Sequence, residues 1–343
     1  MFFAISMVIL FNLAAQLSYG KIHNNYKQFI HSVHKEESFF QRFLEQFKEQ
    51  PFDGSYAIVI SVSKYDHLAP LRSAKKDAQK MKDFLLNNGY YDEVIVLEDS
   101  DASRDNIGYF METYFPKKMK QEGRYRFLFY FTGHGKDFRG NRGNMGYLLL
   151  KGASGEIESH DMIDMARVES WSNKLLYVKH GLFLLDCCFS GLAGVETKSY
   201  DTRVNPLDMA KQNGMYMITA GTAKQKSIGD SNRWKGSLFT DVAVNGMKQH
   251  ADRNDDGVVT TYELFSYIQG AVAIEAKKVR HEQTPQLSNM GRSNDTGQFF
   301  FVYRDLGKRE DKQPLCTTTT ATCIYVCDFN WTVMYSAICK LYI

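Results

Sequence analysis

Apolar residues crowd into a few short runs of this chain, separated by longer stretches in which they recur only every third or fourth position. The runs Tyr56 to Val62, Arg124 to Phe131, Leu182 to Leu185 and Met215 to Ala220 are too short for helices and too continuous for half-exposed strands, so they read as fully buried strands. Glu93 to Leu97, Tyr147 to Leu150 and Gln298 to Tyr303 read as further strands. Between them, Leu71, Ala74, Ala78, Met81 and Leu85 share one face of a helix that Asn88-Gly89 ends. Ser103 caps a helical stretch to about Lys120, and others are expected over Ser159 to about Ser170, Ser237 to His250 and Leu264 to Lys278. Strand alternating with helix in this way predicts an α/β fold, a mostly parallel sheet covered on both faces. Lys136 to Asn144, rich in glycine and charge, reads as a mobile loop, and Leu192 to Gly214 as irregular chain with Lys198 and Arg203 exposed.

The two ends are patterned differently. Phe2 to Ala15 is almost wholly apolar and Ser18-Tyr19-Gly20 supplies small residues, so 1–20 is expected to be a secretory signal, with a secreted or endomembrane destination. In 21–50 the aromatic stripe Phe39, Phe40, Phe43, Leu44 and Phe47 predicts one or two amphipathic helices, either packed on the domain or covering the site as a pro-segment. Asp305 to Pro314 is linker-like and ends a domain expected over 51–304. The tail to residue 343 is read chiefly as unstructured, with membrane attachment the lesser alternative.

Composition narrows this only a little. A chain of 343 residues, 44% hydrophobic and 24% charged, can bury a substantial core. A net charge of +3 without a basic run gives no footprint for nucleic acid. Of the six cysteines, two are vicinal at Cys187 and Cys188 and the other four lie between Cys316 and Cys339. The segment before the tail therefore has no disulfide framework and must hold together by packing.

Two strand ends carry chemistry. Arg124 to Phe131 runs into Thr132-Gly133-His134-Gly135, and Leu182 to Leu185 runs into Asp186-Cys187-Cys188-Phe189-Ser190-Gly191. Reactive groups of parallel sheets collect outside the carboxyl ends of strands. An imidazole and a thiol delivered there are the pair a cysteine nucleophile needs, with the base taking the thiol proton and later protonating the leaving amine.

A third motif lies further on. Asp252-Arg-Asn254-Asp-Asp256-Gly257-Val258-Val-Thr260-Thr-Tyr-Glu263 matches the twelve-residue calcium loop. Oxygen donors stand at Asp252, Asn254, Asp256 and Thr260, a backbone carbonyl at Val258, and a potentially bidentate carboxylate at Glu263. Calcium is the one cofactor expected, and no organic cofactor.

The strand ends resemble those of the caspase-like peptidases, in the metacaspase branch, which carries Ser-Gly-His-Gly and Asp-x-Cys-x-Ser-Gly segments. The resemblance covers about Tyr56 to Tyr303 and implies a caspase-like α/β/α sandwich. It implies His134 as base, Cys188 rather than Cys187 as nucleophile, and the backbone N–H groups of Gly135 and Cys188 as the oxyanion donors. Thr132 stands where serine is common and Phe189 where histidine is. The branch binds a basic residue before the scissile bond through acidic groups, matched by Asp186 and, in Lys76-Asp77-Ala78, by Asp77. Protein or peptide substrates cut after Arg or Lys are the expectation. The rivals are a legumain-like asparaginyl peptidase and an inactive calcium-binding interaction module on the same scaffold.

Overall fold

The computed structural model describes residues 26–32, 52–89, 91–141, 143–156, 160–188, 209, 211–222, 225, 227–229, 234–291 and 295–303. The apolar leader, the Phe39 to Phe47 stripe, most of the stretch after Cys188 and the tail lie outside the described residues. In chain order come β1 (Ile30–His31), β2 (Gly54–Ser61), α1 (Arg72–Asn87), β3 (Glu93–Glu98) and α2 (Arg104–Tyr109). A π-helical turn (Phe110–Tyr114), α3 (Phe115–Lys118), β4 (Tyr125–Thr132), β5 (Gly135–Gly140), β6 (Gly143–Leu149), β7 (Met162–Asp164) and α4 (Met165–Lys174) follow. Then come β8 (Val178–Cys188), β9 (Gly214–Gly221), α5 (Leu238–Asn245), a second π-helical turn (Gly246–His250), β10 (Val258–Thr260), α6 (Thr261–Lys278), β11 (Gln286–Asn289) and β12 (Phe300–Val302).

Seven strands form one sheet in the order β1-β3-β2-β4-β8-β9-β11. Its inner pairs are parallel, while β1 and β11 close the two edges antiparallel to β3 and β9. Continuous apolar runs are what such strands need, because successive side chains enter opposite cores. Ala57, Val59, Leu128, Tyr130, Leu182 and Leu184 pack on one face under α1, α5 and α6. Ile58, Ile60, Phe127, Phe129, Phe131 and Phe183 pack on the other, under α2, α3 and α4. Two helical layers on one sheet make an α/β/α sandwich, as the alternation of elements predicts.

Three expectations are corrected. Lys136 to Asn144, read as a mobile loop, belongs to the β5–β6 hairpin in which Lys136 opposes Tyr147 and Phe138 opposes Met145, and β7 extends it to three strands. The helix expected from Ser159 begins at Met165, because Asp164 caps it by accepting the N–H of Arg167 at 2.7 Å. Within the stretch read as amphipathic helix, Tyr26–Phe29 is a single 3-10 turn and Ile30 and His31 pair with Ile95 and Val94 at the sheet edge. The cap at Ser103 stands where the sequence puts it, and Ser237, read as the start of a helix, is the cap of α5.

The two ends of the sheet are built for different tasks. At the amino ends of β4 and β8, Arg126 and His180 sit in register and are fully buried. Arg126 donates to the Ser55 hydroxyl and to the carbonyls of Gly89 and Phe300, at 3.1 to 3.2 Å. His180 Nε2 lies 3.0 Å from the carbonyls of both Met209 and Gln212, and burial pushes its pKa down to about 4. The opposite end holds the candidate chemistry.

Candidate functional site

The sheet order reverses at β2: the chain goes first to β3 on one side, then to β4 and β8 on the other. Loops leaving the carboxyl ends of β2 and β4 therefore part in opposite directions and open a crevice. Residues 62–71 follow β2 and Gly133-His134 follow β4, so the two loops meet over that opening. Asp99, just past β3, accepts the N–H and hydroxyl of Ser63 and the N–H of Lys64 at 2.8 to 3.1 Å, which ties down the first loop. Its far end is held by the N–H of Leu71 donating to the Ser63 carbonyl at 2.9 Å.

His134 is gripped by that loop. Its Nε2 lies 2.8 Å from the carbonyl of Ala69, and a carbonyl only accepts, so Nε2 carries the hydrogen. In the neutral ring Nδ1 is then the acceptor, free of any need to be protonated for this bond. The His134 backbone N–H donates to the Tyr65 hydroxyl at 2.6 Å, and the Tyr65 ring packs at 4.7 Å between centroids on the imidazole. The approach at Gly133 is close: a Cβ there would stand 2.7 Å from the Phe131 ring and 2.8 Å from the Tyr65 hydroxyl and would push them aside.

Gly135 opens β5 opposite Leu148, while the neighbouring Leu149 N–H donates to the His134 carbonyl at 2.9 Å. Antiparallel pairs alternate between bonded and non-bonded, so the Gly135 N–H points away from β6. It faces the open edge of the hairpin, the orientation an oxyanion donor requires.

The register of the sheet relates this histidine to the cysteines. Thr132 pairs with Asp186 across β4 and β8, and Gly133 N–H donates to the Asp186 carbonyl at 3.4 Å. His134 and Cys188 thus each stand two residues past the same paired rung. Cys188 is the last residue of β8, opposite Gly221 of β9 after an irregularity in the ladder. Cys187 points into the core beneath α2 and α4 and is 1% exposed. A thiol packed there has no access to a peptide.

Asp186 and Asp77 are brought together on the other face. Both are buried, and a single residue, Ser237, bridges them. Its N–H donates to the Asp77 carboxylate at 2.9 and 3.1 Å and its hydroxyl to Asp186. Asp186 also accepts from Thr240 at 2.7 Å and from Ser227 at 2.8 Å. Burial, then the neighbouring Asp186 charge, pushes the Asp77 pKa up to about 7. Burial likewise raises that of Asp186, against the three hydroxyls that favour its charged form. Gly236 lies so close that a Cβ would come within 2.2 Å of the Asp77 carboxylate, and its φ of +157° suits glycine.

The model of the caspase-domain family matches residues 55–295. The chain belongs to the caspase-domain family. Membership places it among cysteine-peptidase-like proteins, whose substrates are proteins or peptides. Among solved structures it is similar to caspase-1 from Spodoptera frugiperda at 15% identity and a TM-score of 0.47, over 69% of this chain and 86% of that one. It is also similar to protein GSU0716 from Geobacter sulfurreducens at 15% identity and a TM-score of 0.45, over 70% and 94% of the two chains. A search of curated proteins gives no significant match. Among the described residues no helix is long and apolar enough to cross a membrane.

The acidic loop lies between the second π-helical turn and β10. Asp252 accepts the N–H groups of Asp256 and Gly257 at 3.3 and 2.9 Å, and Gly257 turns the chain at φ +85°. Val258 to Thr260 then pair with Phe300 to Val302, and Thr260 caps α6 in a reciprocal box with Glu263. Glu263 is buried, which raises its pKa; one of its oxygens accepts from Thr260 and the other from the Arg253 N–H at 3.4 Å. Among the described residues no three His, Cys, Asp or Glu side chains are gathered as a metal group. The donor set of Asp252, Asn254, Asp256, Val258, Thr260 and Glu263 is made wholly of hard oxygens, the chemistry calcium takes.

Sequence reasoning passed over Tyr65 and Ser237. An aromatic in the polar run Ser-Lys-Tyr-Asp-His was the only signal for the first. Ser237 was read as the start of a helix, but its bridging task depends on Asp77 and Asp186 arriving from a distant helix and strand.

Proposed function

We propose that the protein is a cysteine endopeptidase that cuts after Arg or Lys, with Cys188 as nucleophile and His134 as base. The observation that carries this reading is the rung shared by Thr132 and Asp186: His134 and Cys188 both lie two positions past this last pair of β4 and β8, in a chain of the caspase-domain family. Nδ1 of His134, left as acceptor by the Ala69 bond, takes the Cys188 thiol proton. The thiolate adds to the scissile carbonyl, and the N–H groups of Gly135 and Cys188 receive the oxyanion. The imidazolium returns its proton to the leaving amine. A water then adds to the thioester with His134 again as base, releasing the carboxylic acid and the thiol.

Asp77 and Asp186 give the basic preference. Hydroxyls of Ser227, Ser237 and Thr240 occupy the lone pairs of Asp186 that guanidinium or ammonium N–H groups would take, so a cationic side chain exchanges like for like and adds charge. The oxygen set of 252–263 would hold calcium, which when bound would tie the start of α6 to the β10–β12 ribbon. Here Glu263 would exchange its cap bonds for the ion.

The deciding test is turnover of fluorogenic peptides ending in Arg, Lys, Asn or Asp. Cleavage after Arg or Lys is expected, lost by about a thousandfold or more in Cys188→Ala and His134→Ala and kept in Cys187→Ala. Cleavage after Asn or Asp alone, or full activity in Cys188→Ala, would refute the assignment.

A further inference from the structure

We propose that Tyr65 is a positioning residue for His134, its hydroxyl fixing the backbone of the histidine while its ring fixes the plane of the imidazole. This rests on the reading of His134 as the base. The hydroxyl accepts the His134 N–H at 2.6 Å and donates to the Leu149 carbonyl at 3.2 Å, so it joins β4's end to β6 across the crevice. Leu149 in turn donates its N–H to the His134 carbonyl at 2.9 Å, closing a ring of three hydrogen bonds around one residue. The same loop that carries Tyr65 supplies the Ala69 carbonyl to Nε2. One short segment therefore sets the position, the plane and the tautomer of the imidazole.

The fit is tight from the other side as well, since a Cβ on Gly133 would meet the hydroxyl at 2.8 Å. Burial, with the Cys187 thiol and Asp99 adding to it, pushes the phenol well above its ordinary pKa. The group stays protonated and keeps both its donor and its acceptor roles across the range in which a histidine titrates. Substrate has no need to touch it. Loss of Tyr65 should therefore appear in kcat rather than in KM.

The test compares Tyr65→Phe, which keeps the ring, and Tyr65→Leu, which keeps neither contact, with the full chain. We expect kcat to fall about tenfold in the first and on the order of a hundredfold in the second, with KM within about twofold. In histidine-labelled protein, the wild-type His134 ring should show one tautomer, protonated at Nε2, and the Phe variant a mixture or broadened signals. Unchanged kcat together with unchanged His134 resonances would overturn the proposal. A wild-type chain that cuts no peptide would instead refute the peptidase reading, and the ring spectrum alone would then decide for or against Tyr65. If Tyr65→Phe fails to fold by its melting curve, Gly133→Ala, which displaces the hydroxyl without deleting it, should give the same spectral change; an unmoved spectrum there counts against the proposal.

Discussion

At the scale of single residues, the candidate pocket stores two carboxylates that the fold would rather keep neutral. Asp77 has a folded pKa of about 7 against an ordinary 3.8, so the native protein holds a proton that the unfolded chain has released anywhere between those values. The sign follows: this residue's contribution is complete at low pH and is lost as pH rises from about 4 to about 7. His180 has the opposite sign, its folded pKa of about 4 lying below the ordinary 6.5, so its roughly 3 kcal/mol is lost as pH falls through the same window. Asp77→Asn should therefore be more stable than wild type at pH 8, and its melting temperature should drop between pH 6.5 and 4 more steeply. It should also lose substrate affinity. Wild-type KM for an Arg peptide is expected to fall on the order of tenfold from pH 6 to 8 as Asp77 ionises, and KM of the Asn variant to stay flat. A wild-type KM indifferent to pH would remove Asp77 from the binding of cations.

At the scale of elements, the sequence was most readable where one element's own composition decided its state. The runs of β2, β4, β8 and β9 are apolar on both faces because two cores receive them, and no partner had to be known to see it. The β5–β6 hairpin was missed for the converse reason. Gly-Lys-Asp-Phe-Arg-Gly has one apolar side chain, and its order comes from pairing with β6 and from the edge-to-face contact of Phe138 with Tyr147 at 5.3 Å. The start of α4 was misplaced because Ser159 and Asp164 are both acceptable caps, and only β7's pairing with β6 selects the second. The acidic loop is a local motif, so its donor set could be named from the sequence without knowing any partner. Its test is also local: calcium should raise the melting temperature of the full chain by several degrees, about 1–2 kcal/mol, and Glu263→Gln should abolish that rise. An unshifted wild type in millimolar calcium would leave 252–263 as a capped turn.

At the scale of the whole molecule, the site needed the register between strands far apart in sequence. His134 and Cys188 could be named from their motifs, yet their common rung, the Ser237 bridge and the Tyr65 contact exist only in the assembled sheet. The sandwich also keeps its two polar ends apart. Arg126→Met would leave the Ser55 hydroxyl and the carbonyls of Gly89 and Phe300 without their buried donor, which should cost about 3 kcal/mol or more in denaturant unfolding. Because this lies at the amino ends of the strands, kcat per folded molecule should not change. A variant of wild-type stability, or one folded but inactive, would contradict that division.

The imidazole's carbonyl acceptor lies 65 positions upstream of it in the chain, and the cysteine proposed as nucleophile 54 positions downstream. The contacts that hold the proposed base come from the loop after β2 and from β6, all of which precede its proposed partner in the chain. Cutting power on the proposed mechanism thus arrives late and all at once, with the docking of the fourth core strand. On that mechanism, a chain interrupted before that moment would carry a positioned histidine without the thiol it is proposed to deprotonate.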